Sequence, residues 1–314
     1  MAAIARRAKM PDTDRIEDEL VTVRDWLRYA VTRFNAAGLS YGHGTGNALD
    51  EAAYLILHTL HLPVDQLDPW LDARLVASER GQVRDILERR IATRKPAPYL
   101  TNEAWIGPYA FYVDERVIVP RSYLGELLCR QLDAAEGEWH LGTGPGSVGS
   151  ILDLCTGSGC LAILAALTFP EATVDASDIS PDALEVARRN VADYGLETRI
   201  SLAQSDLFAA HSGRSYDLIL ANPPYVDAEA LAAFPPEFAA EPAVAHAGGA
   251  DGLDLVRRIV AAAGDHLAPE GALLVEVGRG RPILEQEFAD LPFIWLDTAE
   301  SEGEVFALPA SALR

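Results

Sequence analysis

The four-residue motif Asn222-Pro223-Pro224-Tyr225 follows the apolar run 218–221. Both prolines have a fixed φ and no N–H donor, so the carbonyl groups around them are held rigidly. The side-chain oxygen of Asn222 and the backbone carbonyl of Pro223 offer two acceptors to one planar –NH2 group, on which Tyr225 can stack. Holding both N–H bonds aligns the nitrogen with an electrophile and favours the charge that develops on it. The motif predicts a reaction at an amide or aromatic amine nitrogen; a rigid turn that closes a strand is the alternative.

A second candidate site is the loop after the run 151–154. This run breaks into Cys155-Thr156-Gly157-Ser158-Gly159 and then into a helical pattern. Ligands of open α/β sheets bind at the carboxyl ends of strands, and glycines there let the backbone approach the ligand closely. Asp178 ends the next predicted strand, at about the 20-residue spacing from which an acid accepts ribose hydroxyls. The spacing favours a nucleoside-containing cofactor over an ordinary strand–turn–helix joint.

A third candidate, Asp206-Leu207-Phe208, follows the next predicted strand. It offers an acid for an adenine amino group and an apolar pair to sandwich the ring; a loop acid beside core residues is the alternative. The stretch 157–162 also fits a dinucleotide fingerprint, so nicotinamide-linked oxidoreduction is a rival function. Asp153, at the end of the loop's own strand, suits a cationic ligand better than a pyrophosphate.

Alternating elements must position these residues. Strands are predicted at 150–154, 173–177, 199–203, 216–221 and 272–277, and helices at 159–168, 181–194 and 252–267. Strands that alternate with helices indicate an α/β fold with a parallel sheet covered on both faces. The tail, 293–296 and 304–308, predicts a terminal hairpin whose last strand is antiparallel to the rest.

The first part of the chain has a different pattern. Apolar residues at helical spacing predict helices at 14–36, 47–60 and 78–93, with Ser78 as N-cap of the third. The aromatic and β-branched stretch 97–119 predicts a β-hairpin linker around Gly107-Pro108. We therefore expect a helical substrate-recognition domain over 1–96, the linker over 97–119 and a catalytic domain over 120–314.

The 314 residues carry a net charge of −21, of which residues 1–119 contribute −2 and residues 120–314 contribute −19. This balance argues against a protein that mainly holds naked nucleic acid, and we expect no DNA partner. The three cysteines and seven histidines show no metal-ligand spacing, so neither a metal nor a disulfide framework is predicted.

No membrane or export segment is predicted. The longest apolar run, 160–169, falls well short of the roughly 20 residues that a spanning helix needs. Residues 1–10 include three cations but no apolar core of a signal peptide. We therefore expect a cytoplasmic protein without a membrane partner.

Taken together, 153–159, Asp178, Asp206 and 222–225 resemble the motifs of class I S-adenosylmethionine-dependent methyltransferases. More narrowly, they resemble the protein-(glutamine-N5) methyltransferases. The similarity covers nearly the whole chain, including Val119-Pro120-Arg121-Ser122, Glu241-Pro242 and the stretch 248–253. It implies a Rossmann-like fold of seven mostly parallel strands with a terminal antiparallel hairpin, beside a small helical domain and a β-hairpin linker.

The resemblance also implies roles for the site residues. Asp178 would hold the ribose hydroxyls, with Ile179 beside it, and Asp206 the adenine amine, with Leu207 packed on the ring. Asp153 would belong to the cofactor site, and the loop Cys155, Thr156, Gly157, Ser158 and Gly159 would hold the methionine part. Asn222, Pro223 and Pro224 would hold the glutamine amide, with Tyr225 stacked on it. Methyl transfer would be a direct in-line displacement from sulfonium to nitrogen.

One branch of this family acts on peptide chain release factors and another on ribosomal protein uL3. The stretch 41–51, Pro120-Arg121-Ser122 and 153–160 are similar to the ribosomal-protein branch. The release-factor branch usually has Pro-Arg-Pro at the hairpin end and Gly or Ala at the position of Cys155. The insert 136–149 has no counterpart that we associate with the family.

Other functions stay open at this point. Asn-Pro-Pro-Tyr also occurs in methyltransferases that act on amino groups of DNA or ribosomal RNA, and an assembly factor that only binds uL3 is a non-enzymatic alternative. The six cations of 78–95 predict a possible ribosomal RNA contact on an assembling particle. A solvated helix face is the competing interpretation of that helix.

Overall fold

The computed structural model describes residues 13–133, 148–299 and 301–314, which form two compact units divided between Thr101 and Asn102. Residues 1–10, for which no signal peptide is predicted, lie outside the described residues, as does the predicted insert except for Val148 and Gly149. The motifs predicted to form the site all fall in the second unit. The functional roles assigned to the domains stay predictions.

The first unit is helical around one apolar core that includes Trp26, Phe34 and Leu55. Its helices are α1 (Thr13–Glu19), α2 (Val23–Ala37), α3 (Ala48–Thr59), α4 (Ala77–Thr93) and α5 (Ala97–Thr101).

Two helix boundaries in the first unit differ from the prediction. The helix predicted over 14–36 is two helices, because Thr22 and Asp25 form a capping box that starts α2 at Val23. Ser78 is not an N-cap: α4 begins at Ala77, and Glu79 accepts the N–H of Val76 at 2.9 Å. In both places a local side-chain hydrogen bond overrides the apolar period.

Most of the cations predicted to form an RNA-contacting face have partners within the first unit. The Arg90 side chain is fully buried and its Nε donates to Glu51 Oε1 at 2.7 Å. Arg94 donates to the carbonyl oxygens of Ala37 and Gly38. The buried Arg90 cannot contact RNA while it keeps Glu51 as its partner, and the arrangement favours a structural role for the helix.

The second unit begins with a hairpin that is shorter than predicted. Strands β1 (Glu103–Ile106) and β2 (Tyr109–Tyr112) pair around Gly107 and Pro108, whereas residues 97–101 belong to helix α5. The hairpin is anchored to the rest of the second unit through Asn190, whose side chain accepts the N–H of Tyr112 at 2.7 Å and donates to its carbonyl oxygen at 3.0 Å.

A seven-stranded sheet forms the centre of the second unit. Its strands are β3 (Ser150–Leu154), β4 (Thr173–Asp178), β5 (Ile200–Gln204), β6 (Tyr216–Ala221), β7 (Leu267–Glu276), β8 (Ile294–Leu296) and β9 (Val305–Pro309). The order is β5-β4-β3-β6-β7-β9-β8. Strands β3 to β7 are parallel, and β9 pairs antiparallel with both β7 and β8. The predicted sheet and terminal antiparallel strand are confirmed.

Helices accompany this sheet and cover both faces. They are α6 (Tyr123–Asp133), α7 (Cys160–Thr168), α8 (Pro181–Asp193), α9 (Ala228–Ala232), α10 (Asp254–Ala263) and α11 (Arg281–Glu287). Alternate residues of β6 enter different cores: Leu218 packs in the core that contains α7, and Ile219 in the core that contains α10. Two-sided burial explains why the central strands are apolar without alternation.

The strand order reverses between β3 and β6. The chain runs outward from β3 through β4 to β5, then returns to pair β6 on the other side of β3. Loops that follow two such neighbouring parallel strands open a crevice at their carboxyl ends. Here those loops are 155–159 and 222–225, so the topology brings the two predicted motifs side by side.

Candidate functional site

The loop after β3 needs left-handed backbone at three positions. Cys155, Gly157 and Gly159 have φ values of +58°, +55° and +82°. Such angles favour glycine, so Cys155 holds a conformation that most residues avoid. A Cβ on Gly159 would lie 3.2 Å from the Cβ of Ala187, so this glycine also allows α8 to pack closely.

Asp153 supports the loop from behind. Its buried Oδ2 accepts the Thr156 hydroxyl at 2.5 Å and the N–H of Ala162 at 3.1 Å. Its Oδ1 is buried with no hydrogen-bond partner, and burial raises the pKa of this carboxyl to about 7. Asp153 thus joins the loop to the start of α7 but is not part of either cavity wall described below.

Asp178, at the end of β4, faces the same loop. Its Oδ2 accepts the N–H of Gly157 at 2.9 Å, and its Oδ1 accepts the N–H of Ser180 at 2.9 Å. Burial raises the pKa of this carboxyl, while these two donors oppose the shift. The aspartate is thereby oriented at the carboxyl edge of the sheet beside Ile179, whose side chain is 55% exposed.

A first cavity of about 470 Å³ lies over this edge, within the usual size range of small-ligand sites. Eight of the predicted site residues line it: Cys155, Gly157, Asp178, Ile179, Asp206, Leu207, Asn222 and Pro224. Carboxylates and apolar side chains therefore share one wall, as a nucleoside with hydroxyl, amino and ring surfaces requires.

Asp206 lines this cavity and forms an ion pair with Arg258, which the sequence did not predict. Nη2 of Arg258, from α10, lies 2.9 Å from both carboxylate oxygens of Asp206. Both side chains are about half exposed. Leu207 adopts a left-handed φ of +51° and is buried beside them. The pair orients the acid, and an adenine amine at this position would share Asp206 with Arg258.

A second cavity of about 260 Å³ adjoins the first. The predicted residues on its wall are Cys155, Thr156, Gly157, Ser158, Asn222, Pro223 and Tyr225. Cys155, Gly157 and Asn222 line both cavities. Asn222 therefore lies where a ligand in one cavity meets a ligand in the other.

The ring of Tyr225 is held from two sides. Its hydroxyl donates to Glu276 Oε1 at 2.9 Å, and a Cβ on Gly278 would come within 3.0 Å of two ring carbons. Burial, and then the Glu276 carboxylate, raise the pKa of the Tyr225 hydroxyl well above its ordinary value. The phenol stays protonated and donates to the carboxylate, which fixes the ring on the cavity wall.

Three residues of this region received no role from the sequence. Arg121 and Glu241 were noted only within the quoted stretches, and Glu276 only as part of a strand. A charged residue at the end of an otherwise apolar strand was the available signal for Glu276. For the other two, the separation of 120 residues hides the contact between Arg121 and Glu241.

Residues 13–133, 148–299 and 301–314 contain no group of three or more His, Cys, Asp or Glu side chains arranged to hold a metal ion. No helix of this part of the chain is both long and apolar enough to cross a membrane.

The sequence and the fold match known methyltransferases. Residues 127–235 match the family Methyltransferase small domain. The chain is 53% identical to the ribosomal protein uL3 glutamine methyltransferase of Bradyrhizobium diazoefficiens, over 94% of this chain and 92% of that protein. It is 55% identical to the protein of the same name from Bordetella pertussis, over 94% and 97% of the two chains.

A crystal structure of the hMettl16 catalytic domain in complex with a MAT2A 3′UTR hairpin has a similar fold, with a TM-score of 0.50. It is 17% identical, and the match covers 82% of this chain and 90% of that one. The fold is therefore that of a methyltransferase. By its sequence, the chain belongs to the family of ribosomal protein uL3 glutamine methyltransferases.

Proposed function

We propose that this protein transfers a methyl group from S-adenosylmethionine to the side-chain amide nitrogen, N5, of a glutamine in ribosomal protein uL3. The observation that carries the proposal is the position of Asn222 on the wall shared by the two cavities. The names of the relatives support the protein substrate, and the strongly negative catalytic region suits both a cationic cofactor and a basic protein.

The first cavity fits S-adenosylmethionine by the chemistry of its walls. Asp178 would accept the ribose hydroxyls with lone pairs that the N–H groups of Gly157 and Ser180 leave free. Leu207 and the exposed Ile179 would pack against the adenine ring, near Asp206. The 155–159 loop would hold the methionine part. When bound, the cofactor supplies an electrophilic methyl group.

In the second cavity, Asn222, Pro223 and Tyr225 would hold the glutamine amide. The oxygen of the Asn222 side chain and the carbonyl of Pro223 would accept its two N–H bonds, and the Tyr225 ring would stack on its plane. Fixing both N–H bonds aims the nitrogen toward the first cavity and favours its developing positive charge. Pro223 and Pro224 keep these acceptors rigid.

The test is methylation of purified uL3 and, in parallel, of a release factor with radiolabelled S-adenosylmethionine, followed by mass spectrometry of the labelled peptide. We expect label on one glutamine of uL3. Asn222→Ala should lower kcat by about 100-fold or more, as loss of a transition-state contact does. Gln286→Ala, at an exposed position of α11 outside both cavities, is the matched control. Label on the release factor alone, or a fully active Asn222→Ala enzyme, would contradict the proposal.

We also propose that the helical first unit recognises the substrate on an assembling particle, through a contact of α4 with ribosomal RNA. Arg89 is an exposed cation of α4 and so suits a test for this contact. Equal methylation of free and particle-bound uL3 by Arg89→Glu would argue against such a contact. The cytoplasmic location stays a prediction.

A further inference from the structure

The segment 119–124 leads from the hairpin into α6 and contributes Pro120, Arg121 and Ser122 to the wall of the second cavity. Residues 119–122 belong to no strand or helix, so no regular ladder of backbone hydrogen bonds fixes them. Two buried carboxylates, Glu241 and Glu276, hold the segment instead.

Glu241 binds the first half of the segment. Its Oε1 accepts the N–H of Val119 at 2.8 Å and Nη1 of Arg121 at 2.8 Å, while Oε2 accepts Nη2 of Arg121 at 2.7 Å. Nε2 of His246 lies 2.9 Å from the same Oε2, in contact with it but without the geometry of a hydrogen bond. Since His246 also lines the second cavity, this one carboxylate joins two stretches of its wall.

Glu276 binds the second half. Its Oε2 accepts the Ser122 hydroxyl at 2.7 Å and the N–H of Tyr123 at 2.9 Å. Its Oε1 accepts the Tyr225 hydroxyl. The carboxylate thus fixes the distance between Ser122, on one wall, and the Tyr225 ring on another.

Buried carboxylates are costly unless donors surround them. Both of these have several donors, and the donors named above come from the cavity wall or from its immediate neighbours. The guanidinium of Arg121 also lies over the Phe238 ring, 5.6 Å from its centroid, and Phe238 lines the same cavity. The charges of Arg121 and Glu241 offset one another, so the wall presents aromatic surface to an uncharged amide.

We propose that Glu241 and Glu276 are positioning residues that set the width of the second cavity, by tying the segment 119–124 to His246 and to Tyr225. The kinetic part of this inference rests on the proposed function. The structural part of the inference does not rest on the proposed function, because the width of the second cavity can be probed without any methyl transfer.

The rate at which cysteines are alkylated reports how open the second cavity is. Cys155 and Cys160 line the second cavity, whereas Cys129, which is buried in the same core as Cys160, lines neither cavity and serves as an internal reference. In Glu241→Gln and Glu276→Gln, we expect alkylation of Cys155 and Cys160 by iodoacetamide to accelerate by about tenfold, with Cys129 unchanged. Ser122→Ala removes a single donor and should give a smaller effect of the same kind. Glu270→Gln, at an exposed position of the same strand β7, is the control.

Kinetics provide the second readout. In the carboxylate variants, kcat/KM for uL3 should fall by about tenfold, through a higher KM, a lower kcat or both. The Kd for S-adenosylmethionine should stay within about twofold of the wild-type value. A loss of cofactor affinity in parallel would indicate general unfolding and overturn the inference. Unchanged alkylation at Cys155 and Cys160 in both variants, or an equal increase at all three cysteines, would overturn it as well. If the wild type does not methylate uL3, the proposed function fails and alkylation still decides this inference.

Discussion

The backbone N–H of Gly157 donates a hydrogen bond to Asp178 Oδ2 over 2.9 Å. The bond joins the loop after β3 to the end of β4, so the residue proposed for the ribose also orders the loop proposed for the methionine part. One side chain therefore serves two portions of the same cavity.

Replacement of Asp178 should weaken cofactor binding more than it weakens the fold. Asp178→Ala removes the ribose acceptor and releases Gly157, so we expect the Kd for S-adenosylmethionine to rise by about tenfold or more. Titration calorimetry measures this value. Asp182→Ala, at an exposed position in the first turn of α8, is the control, and an unchanged Kd for Asp178→Ala would contradict the assignment.

Tyr225→Phe separates the hydroxyl from the ring. The ring remains for stacking, but the buried Glu276 loses one donor, which costs about 1–3 kcal/mol of unfolding free energy. We expect a reduced kcat with measurable activity, whereas Tyr225→Ala should remove activity almost completely. Denaturant unfolding and initial rates of methyl transfer provide the two measurements. Wild-type activity in Tyr225→Ala would show that the ring has no part in the reaction.

The first unit depends on the ion pair of Arg90 with Glu51. Both side chains are buried, at 0% and 1% exposure, so removing one leaves an uncompensated charge. Arg90→Ala should lower the free energy of unfolding by about 3–5 kcal/mol. The exposed pair of Arg24 with Asp72 is the comparison, and Asp72→Ala should change the free energy of unfolding far less, because solvent screens exposed pairs. Equal effects in urea unfolding would refute the importance of burial.

The raised pKa of Asp153 predicts how the free energy of unfolding depends on pH. Its pKa is about 7 in the folded protein and about 3.9 when unfolded, so the folded state binds more protons between these values. The contribution of Asp153 to stability is therefore largest below pH ~4 and falls as the pH rises toward 7, by up to about 4 kcal/mol.

Comparison with Asp153→Asn isolates this contribution, because the amide does not titrate. The unfolding free energy of the wild type minus that of the variant should decrease from pH 4 to pH 7 and then level off, roughly at the two pKa values. Urea unfolding at several pH values, without cofactor, measures the difference. A difference that does not change with pH would show that the carboxyl has an ordinary pKa.

The alternation of apolar runs with helical periods was sufficient to predict the sheet. The predicted strands 150–154 and 216–221 have the same bounds as β3 and β6. A strand that is buried on both faces is a continuous apolar run, so its ends are visible in the sequence. The hairpin 103–112 is shorter than the predicted 97–119, since residues 97–101 pack as the short helix α5. Local pattern and burial are properties that neighbouring residues share, and a sequence displays them directly.

The residue types of the candidate site were also predicted from the sequence, because a planar amide and a nucleoside would require particular acceptors after particular strands. Their supports were not. Glu276 contacts Ser122 across 154 positions, and Glu241 contacts Arg121 across 120. Only the strand order, which brings β6 between β3 and β7, decides which distant carboxylate meets which donor. The sequence by itself determined which groups can do the chemistry, and the tertiary structure decided what holds them, since burial and long-range pairing arise only when the sheet assembles.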